Sequence, residues 1–153
     1  MKNTLAFIGL TFVSLSLASA LAHANEAAQA KYQSCAACHG DAAQGNTELN
    51  APALAGQDAA YLARQLQHFK AGIRGADPRD TQGAQMKAMA ATVSDEDILV
   101  IAEYLATLPT PVLTPEISGD LKNGNNYYHA SCGACHGGQA QGNPALNAPA
   151  LAG

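Results

Sequence analysis

Residues 34–56 read SCAACHGDAAQGNTELNAPALAG, and residues 131–153 read SCGACHGGQAQGNPALNAPALAG. At an offset of 97, 18 of the 23 positions are identical, so the chain carries a unit and the beginning of its copy. Each copy opens on Cys-x-x-Cys-His: Cys35, Cys38 and His39, then Cys132, Cys135 and His136. Two thiols at i and i+3 can each add to one vinyl group of haem, and the adjoining imidazole can reach the iron. The pattern predicts two covalent haem c sites.

Two other chemistries use paired cysteines. A four-cysteine zinc site would have to join pairs separated by 93 residues, against about 15–20 in common ribbons. A dithiol redox pair has no use for the histidine that follows. Neither explains the duplicated context.

The N-terminus fits export. Lys2 is the only charge before Glu26, Leu5–Leu17 is apolar, and Ala22-His23-Ala24 is a small-x-small cleavage site. Residues 1–24 are read as a signal peptide and the periplasm as the destination. An uncleaved anchor is the rival reading, but Gly9, Thr11, Ser14, Ser16 and Ser19 interrupt the run. An oxidising compartment suits a chain whose four cysteines all lie in the two motifs. Only Lys2 is a basic residue of the leader, so seven basic residues face twelve acidic ones in the remainder. That balance excludes a basic, nucleic-acid-binding character.

Helices are expected throughout and the fold class is all-α. A short helix over Glu26–Cys35 feeds the first motif, and residues 40–56, rich in Gly, Asn and Pro, read as loop. A helix over Asp58–Ala71 places Ala59, Leu62, Leu66, Phe69 and Ile73 on one face, with Gly72 as its stop. Gly75–Gly83 reads as loop again. Ser94 and Asp97 form a capping box for a last helix carrying Ile98, Ile101, Ala102, Leu105 and Leu108, which Pro109 ends. Pro109, Pro111 and Pro115 make a stiff linker. The organisation is thus 1–24 leader, 25–108 first domain, 109–115 linker and 116–153 second unit, with a short helix around Tyr127–Cys132. The second unit has no counterpart of residues 57–108, and 38 residues rarely fold alone. It is expected to be a truncated copy with an incomplete haem site.

The CAACHG and CGACHG boxes, APALAGQDAAYLARQLQHFKAG and MKAMAATVSDEDILVIAEYLATLP resemble the dihaem class I cytochromes c, the cytochrome c4 family most of all. The resemblance covers nearly all of the first unit and the start of the second. It implies a class I cytochrome c fold, one complete haem domain followed by an incomplete copy. After the leader the chain has two methionines, Met86 and Met89, both expected in the loop before the last helix. The family's ligand methionine lies a few residues before a Ser-Asp-x-Asp helix start, which Met89 matches, with Met86 as runner-up. The resemblance also implies that the carbonyl of Pro52 accepts a hydrogen bond from the ring of His39, with Pro149 as its copy for His136. His68 falls on the polar face of its helix, His129 is read as a surface residue, and His23 leaves with the leader.

His and Met ligation leaves no open coordination site, which suits electron transfer. The expected function is a periplasmic electron carrier and not an enzyme. By resemblance its partners are redox proteins, such as a membrane quinol-oxidising complex and a terminal oxidase or reductase, with peripheral membrane association as an option. The competing reading is a haem subunit of an oxidoreductase or a dihaem peroxidase-like enzyme. Arg64, Lys70, Arg74, Arg79 and Lys87 suggest a cationic docking patch, against the plainer reading of a solvated face.

Overall fold

The computed structural model describes residues 6–112 and 118–152, with side chains from residue 23 onward. Secondary structure among them is helical; two isolated bridges, Asn46 with Ala51 and Asn143 with Ala148, are the only β pairings. The first unit holds α1 (Ala6–His39), α2 (Ala59–Lys70), α3 (Thr81–Ala91) and α4 (Asp95–Thr107). The second holds α5 (Leu121–Tyr127), a π-helical turn (Tyr128–Cys132), α6 (Gly133–His136) and a 3₁₀ turn over Pro144–Leu146.

The helix expected over Glu26–Cys35 is longer at both ends. It runs unbroken from Ala6, through the expected cleavage position, and carries the whole Cys-x-x-Cys-His motif before Gly40 ends it. Ala28, Tyr32, Ala36 and His39 are its buried stripe, at helical spacing. Opposite lies α4, whose Ile98, Ile101, Ala102, Tyr104 and Leu105 are all buried. Helix α2 packs on both α4 and α3, adding Leu62, Ala63 and Phe69. The core therefore sits where α1 and α2 meet α4, directly behind the first motif.

Helix α2 agrees with its expected span, with Asp58 capping Tyr61 N at 2.8 Å. Ile73 does not join its apolar face and is 69% exposed. The helix has ended by then: Gly72 turns at φ +72°, and the amides of Ile73 and Arg74 both fall back on His68 O. The phase of the stripe is lost with the turn.

The segment before α4 is where the sequence reading needs correction. Met86 and Met89 lie in helix α3, not in a loop. Asp80 caps it by accepting from Gly83 N at 2.8 Å, and Ala, Gln, Met and Lys then favour helix. Gly83, read as a loop residue, is buried beneath that cap. Helix α4 starts as expected, Ser94 Oγ accepting from Asp97 N at 3.0 Å. It stops at Thr107 because Leu108, preceding Pro109, is extended at φ −73° and ψ 146°. The remainder of the linker, residues 113–115, lies outside the described residues, as do residues 1–5 of the leader.

Candidate functional site

Cys35, Cys38 and His39 come from the last turn and a half of α1, so i, i+3 and i+4 spacing puts all three on one side of the helix. Both thiols are unpaired; Cys35 is half-buried and Cys38 exposed. Burial pushes the Cys35 thiol up, against a weaker opposing contact from the Ser34 hydroxyl. His39 is 4% exposed, so its polar ring is buried. A buried polar ring needs a partner. Its Nδ1 lies 2.8 Å from Pro52 O. A carbonyl can only accept, so Nδ1 carries the proton; in a neutral ring that leaves the lone pair on Nε2, the tautomer that a metal requires.

The loop that supplies Pro52 is held from several sides. Gly45 N donates to His39 O at 2.8 Å, Asn46 and Ala51 exchange bonds of 2.8 and 2.9 Å, and Leu54 N and Ala55 N both reach Ala43 O. Gly45 turns at φ +83°, and a Cβ there would lie 2.6 Å from Ala53 N and 3.0 Å from the carbonyl carbon of Pro52. Only glycine lets the chain pass this close beneath the proline carbonyl. Gly40 O is held twice, by Ala43 N at 2.9 Å and by the Tyr32 hydroxyl at 2.7 Å. Burial, with Cys35 and Tyr104 nearby, pushes the Tyr32 pKa up, so the hydroxyl stays protonated as a donor.

The second unit repeats this arrangement. His136 Nδ1 is 2.8 Å from Pro149 O, Gly142 N donates to His136 O at 2.8 Å, and Leu151 N and Ala152 N reach Ala140 O. Gly142 turns at φ +83° as Gly45 does. Burial differs: no residue of the second unit is buried among those described, and Cys132 and Cys135 are both exposed. The local loop is therefore written in its own backbone, whereas its burial in the first unit comes from α2 and α4.

The two methionines do not converge equally on the first core. Met86 is half-buried, and Met89, in the last turn of α3, is 39% exposed with its carbonyl capped by Thr92 at 2.7 Å. His68 is half-buried and not fully solvent-facing as its helical phase suggested; His129 is exposed. Four of the five basic residues grouped as a docking patch are engaged within the chain. Arg64 donates to Asn147 Oδ1 and O, Lys70 to Val93 O and Asp95, Arg74 to Gln65, and Arg79 to Asp77. Long cationic side chains found acceptors on α2, at the start of α4, in the loop before α3 and in the second unit.

Tyr32, Tyr104 and Gly45 were missed from the sequence. A tyrosine does precede both motifs, at Tyr32 and Tyr128, but at different spacing from the first cysteine, which hid the pairing. Gly45 stood inside the repeated Gln-Gly-Asn and was read only as loop.

Residues 25–109 match the family model described as Cytochrome c. The chain is 42% identical over 74 residues to a thiosulfate dehydrogenase electron acceptor of Stutzerimonas stutzeri strain A1501, covering 48% of this chain and 32% of that one. It is 33% identical over 138 residues to a cytochrome c4 of Stutzerimonas stutzeri, covering 84% of this chain and 65% of that one. It therefore spans less than two thirds of either relative. Among solved structures, reduced recombinant cytochrome c4 from Pseudomonas stutzeri superposes with a TM-score of 0.66 at 31% identity, over 84% of this chain and 72% of that one.

Proposed function

The chain belongs to the cytochrome c family, and on that premise we propose that it is a cytochrome c4-like electron carrier of the periplasm, with residues 1–24 removed on export. The observation that supports this best is the twinned histidine geometry. His39 and His136 each turn Nδ1 onto a proline carbonyl at 2.8 Å, beside two unpaired thiols, which leaves Nε2 for iron. The donor set fits haem c. Bound here, the group supplies a one-electron ferric and ferrous couple.

Cys35 and Cys38 would hold the first haem covalently and His39 would ligate it; Cys132, Cys135 and His136 would do so for the second. Pro52 and Pro149 would set the plane of each imidazole. Met89 would supply a thioether ligand to the iron of the first site. Its position in the last turn of α3 leaves the thioether accessible, and ligation there would close the iron to substrates, which is why a carrier is preferred to an enzyme. Its proposed partners are redox proteins: a dehydrogenase or quinol-oxidising complex on the donor side and an oxidase or reductase on the acceptor side. The match to a thiosulfate dehydrogenase electron acceptor is consistent with the first.

The test is intact mass under denaturing conditions after export alongside haem-attachment machinery. Two covalent haems are expected. One haem would restrict the carrier to the first site, and none would overturn the reading.

A further inference from the structure

Both units make one contact that haem attachment by itself does not require. The Tyr32 hydroxyl donates to the carbonyl of Gly40, the residue that follows His39, at 2.7 Å. The Tyr128 hydroxyl donates to the carbonyl of Gly137, which follows His136. The two tyrosines are not at equivalent sequence positions. Tyr32 stands three residues before Cys35 and Tyr128 four before Cys132; at the repeat offset of 97, the counterpart of Tyr32 is His129.

One extra residue in a regular α-helix turns a side chain by about 100° around the axis, which would carry the hydroxyl away from its carbonyl. The second unit absorbs the extra residue as a π-helical turn over Tyr128–Cys132, while α1 passes through the same region as uninterrupted α-helix. A π turn is what a one-residue insertion becomes when the contacts on either side are kept.

Packing does not account for the bond. The Tyr32 ring is fully buried and lies 6.0 Å from the Tyr104 ring. The Tyr128 ring is only half-buried, and its ring contact is the edge of exposed His129 at 5.5 Å. With different register, different burial and different neighbours, the hydroxyl reaches the same carbonyl. What the two cases share is the histidine one residue before it.

We infer that Tyr32 and Tyr128 are positioning residues for the ligand histidines: each hydroxyl pins the carbonyl after the histidine, and thereby fixes the imidazole plane that the proline carbonyl orients from the other end. This rests on the haem reading above. The His39–Gly40 segment is then held at three points: Gly45 N on His39 O, Ala43 N on Gly40 O, and the tyrosine on that same oxygen.

The experiment is Tyr32→Phe in the haem-loaded full chain, with Tyr104→Phe as the control that removes the hydroxyl of the neighbouring ring. Three readouts are taken: the hyperfine shift pattern of the haem methyls in the ferric state, the reduction potential, and amide exchange at Ala43. Tyr32→Phe is expected to redistribute the methyl shifts, move the potential, and speed Ala43 exchange about fivefold, as loss of one net hydrogen bond implies. Tyr104→Phe is expected to leave the methyl pattern unchanged. If Tyr32→Phe does not fold, Tyr128→Phe, half-exposed and outside the core, is read on the second haem's signals with the same expectation. A haem-loaded variant with wild-type methyl shifts and potential would overturn the positioning role alone. An unsubstituted chain that acquires no haem would overturn the haem reading, and the role with it.

Discussion

His39 is held by a proton it donates, and this makes the loop beneath it as consequential as the ring. The carbonyl of Pro52 cannot be removed by substitution, but Gly45 controls where it lies. At φ +83°, with a Cβ position 2.6 Å from Ala53 N, Gly45→Ala must both strain its own backbone and push the proline peptide away. The expected cost is about 1–2 kcal/mol from the left-handed backbone alone, with more from the close contact. Thermal unfolding checks the stability, and ring-proton NMR checks the lengthened His39 bond. The methionines separate at the same scale. Met89→Ala is expected to abolish the thioether-to-iron charge-transfer band and lower the reduction potential, since a sulfur ligand favours the ferrous state. Met86→Ala is expected to keep the band. Spectra of the two variants decide between them. The histidines and cysteines were legible because haem attachment needs them at fixed spacing. Tyr32 was not, because its role depends on where a helix ends relative to a carbonyl eight residues on.

At the scale of elements, the start of α4 joins two functions. Ser94 caps the helix through Asp97 N, and the Asp97 carboxylate pairs with Lys31 of α1. Ser94→Ala is expected to cost about 1 kcal/mol, read by denaturant unfolding. The pair also gives a pH dependence with a definite sign. The Lys31 hydrogen bond, then Ser94, holds Asp97 below its ordinary 3.8, so its contribution is present above that value and is lost as pH falls through the lower folded value. The Asp97 bond raises Lys31 above its ordinary 10.5, so its contribution is complete below that value and is lost as pH rises beyond it. Stability from this tie should be flat between the two limits and weaken with salt; Asp97→Asn should flatten the acid limb. Unfolding midpoints across pH in both proteins test it. The capping box and the stripe of α4 were readable because cap and phase are local. Helix α3 was not, although its Asp80 cap on Gly83 N is equally local, because Gly83 reads as a breaker in isolation.

At the scale of the whole molecule, the Arg64 side chain ties the two units together. Arg64 of α2 donates to Asn147 Oδ1 at 3.1 Å and to Asn147 O at 2.9 Å, beside a cleft of about 100 Å³ between α2 and the loop carrying Pro149. Both acceptors are neutral, so this contact should resist salt better than an ion pair would. Arg64→Ala is expected to increase the maximum dimension in small-angle scattering and the rate of proteolysis in residues 118–152. An unchanged scattering profile would show that the linker alone sets the arrangement. The same contact engages Arg64, one member of the cationic patch grouped from sequence: charge counts along the chain cannot tell which side chains have acceptors across a domain boundary.

The sequence by itself determined the cofactor chemistry, the all-helical class and the repeat. Cysteine and histidine spacing, apolar phase and self-similarity are all encoded within a few residues of one another. Tertiary structure decided what required distant groups to meet: the burial of His39, the tyrosine bonds to the carbonyls after the histidines, and the Arg64 link. The second unit separates the two contributions most clearly. Its loop repeats the backbone bonds of the first because local sequence suffices for them. None of its described residues is fully buried, because burial needs surfaces that a local sequence does not contain.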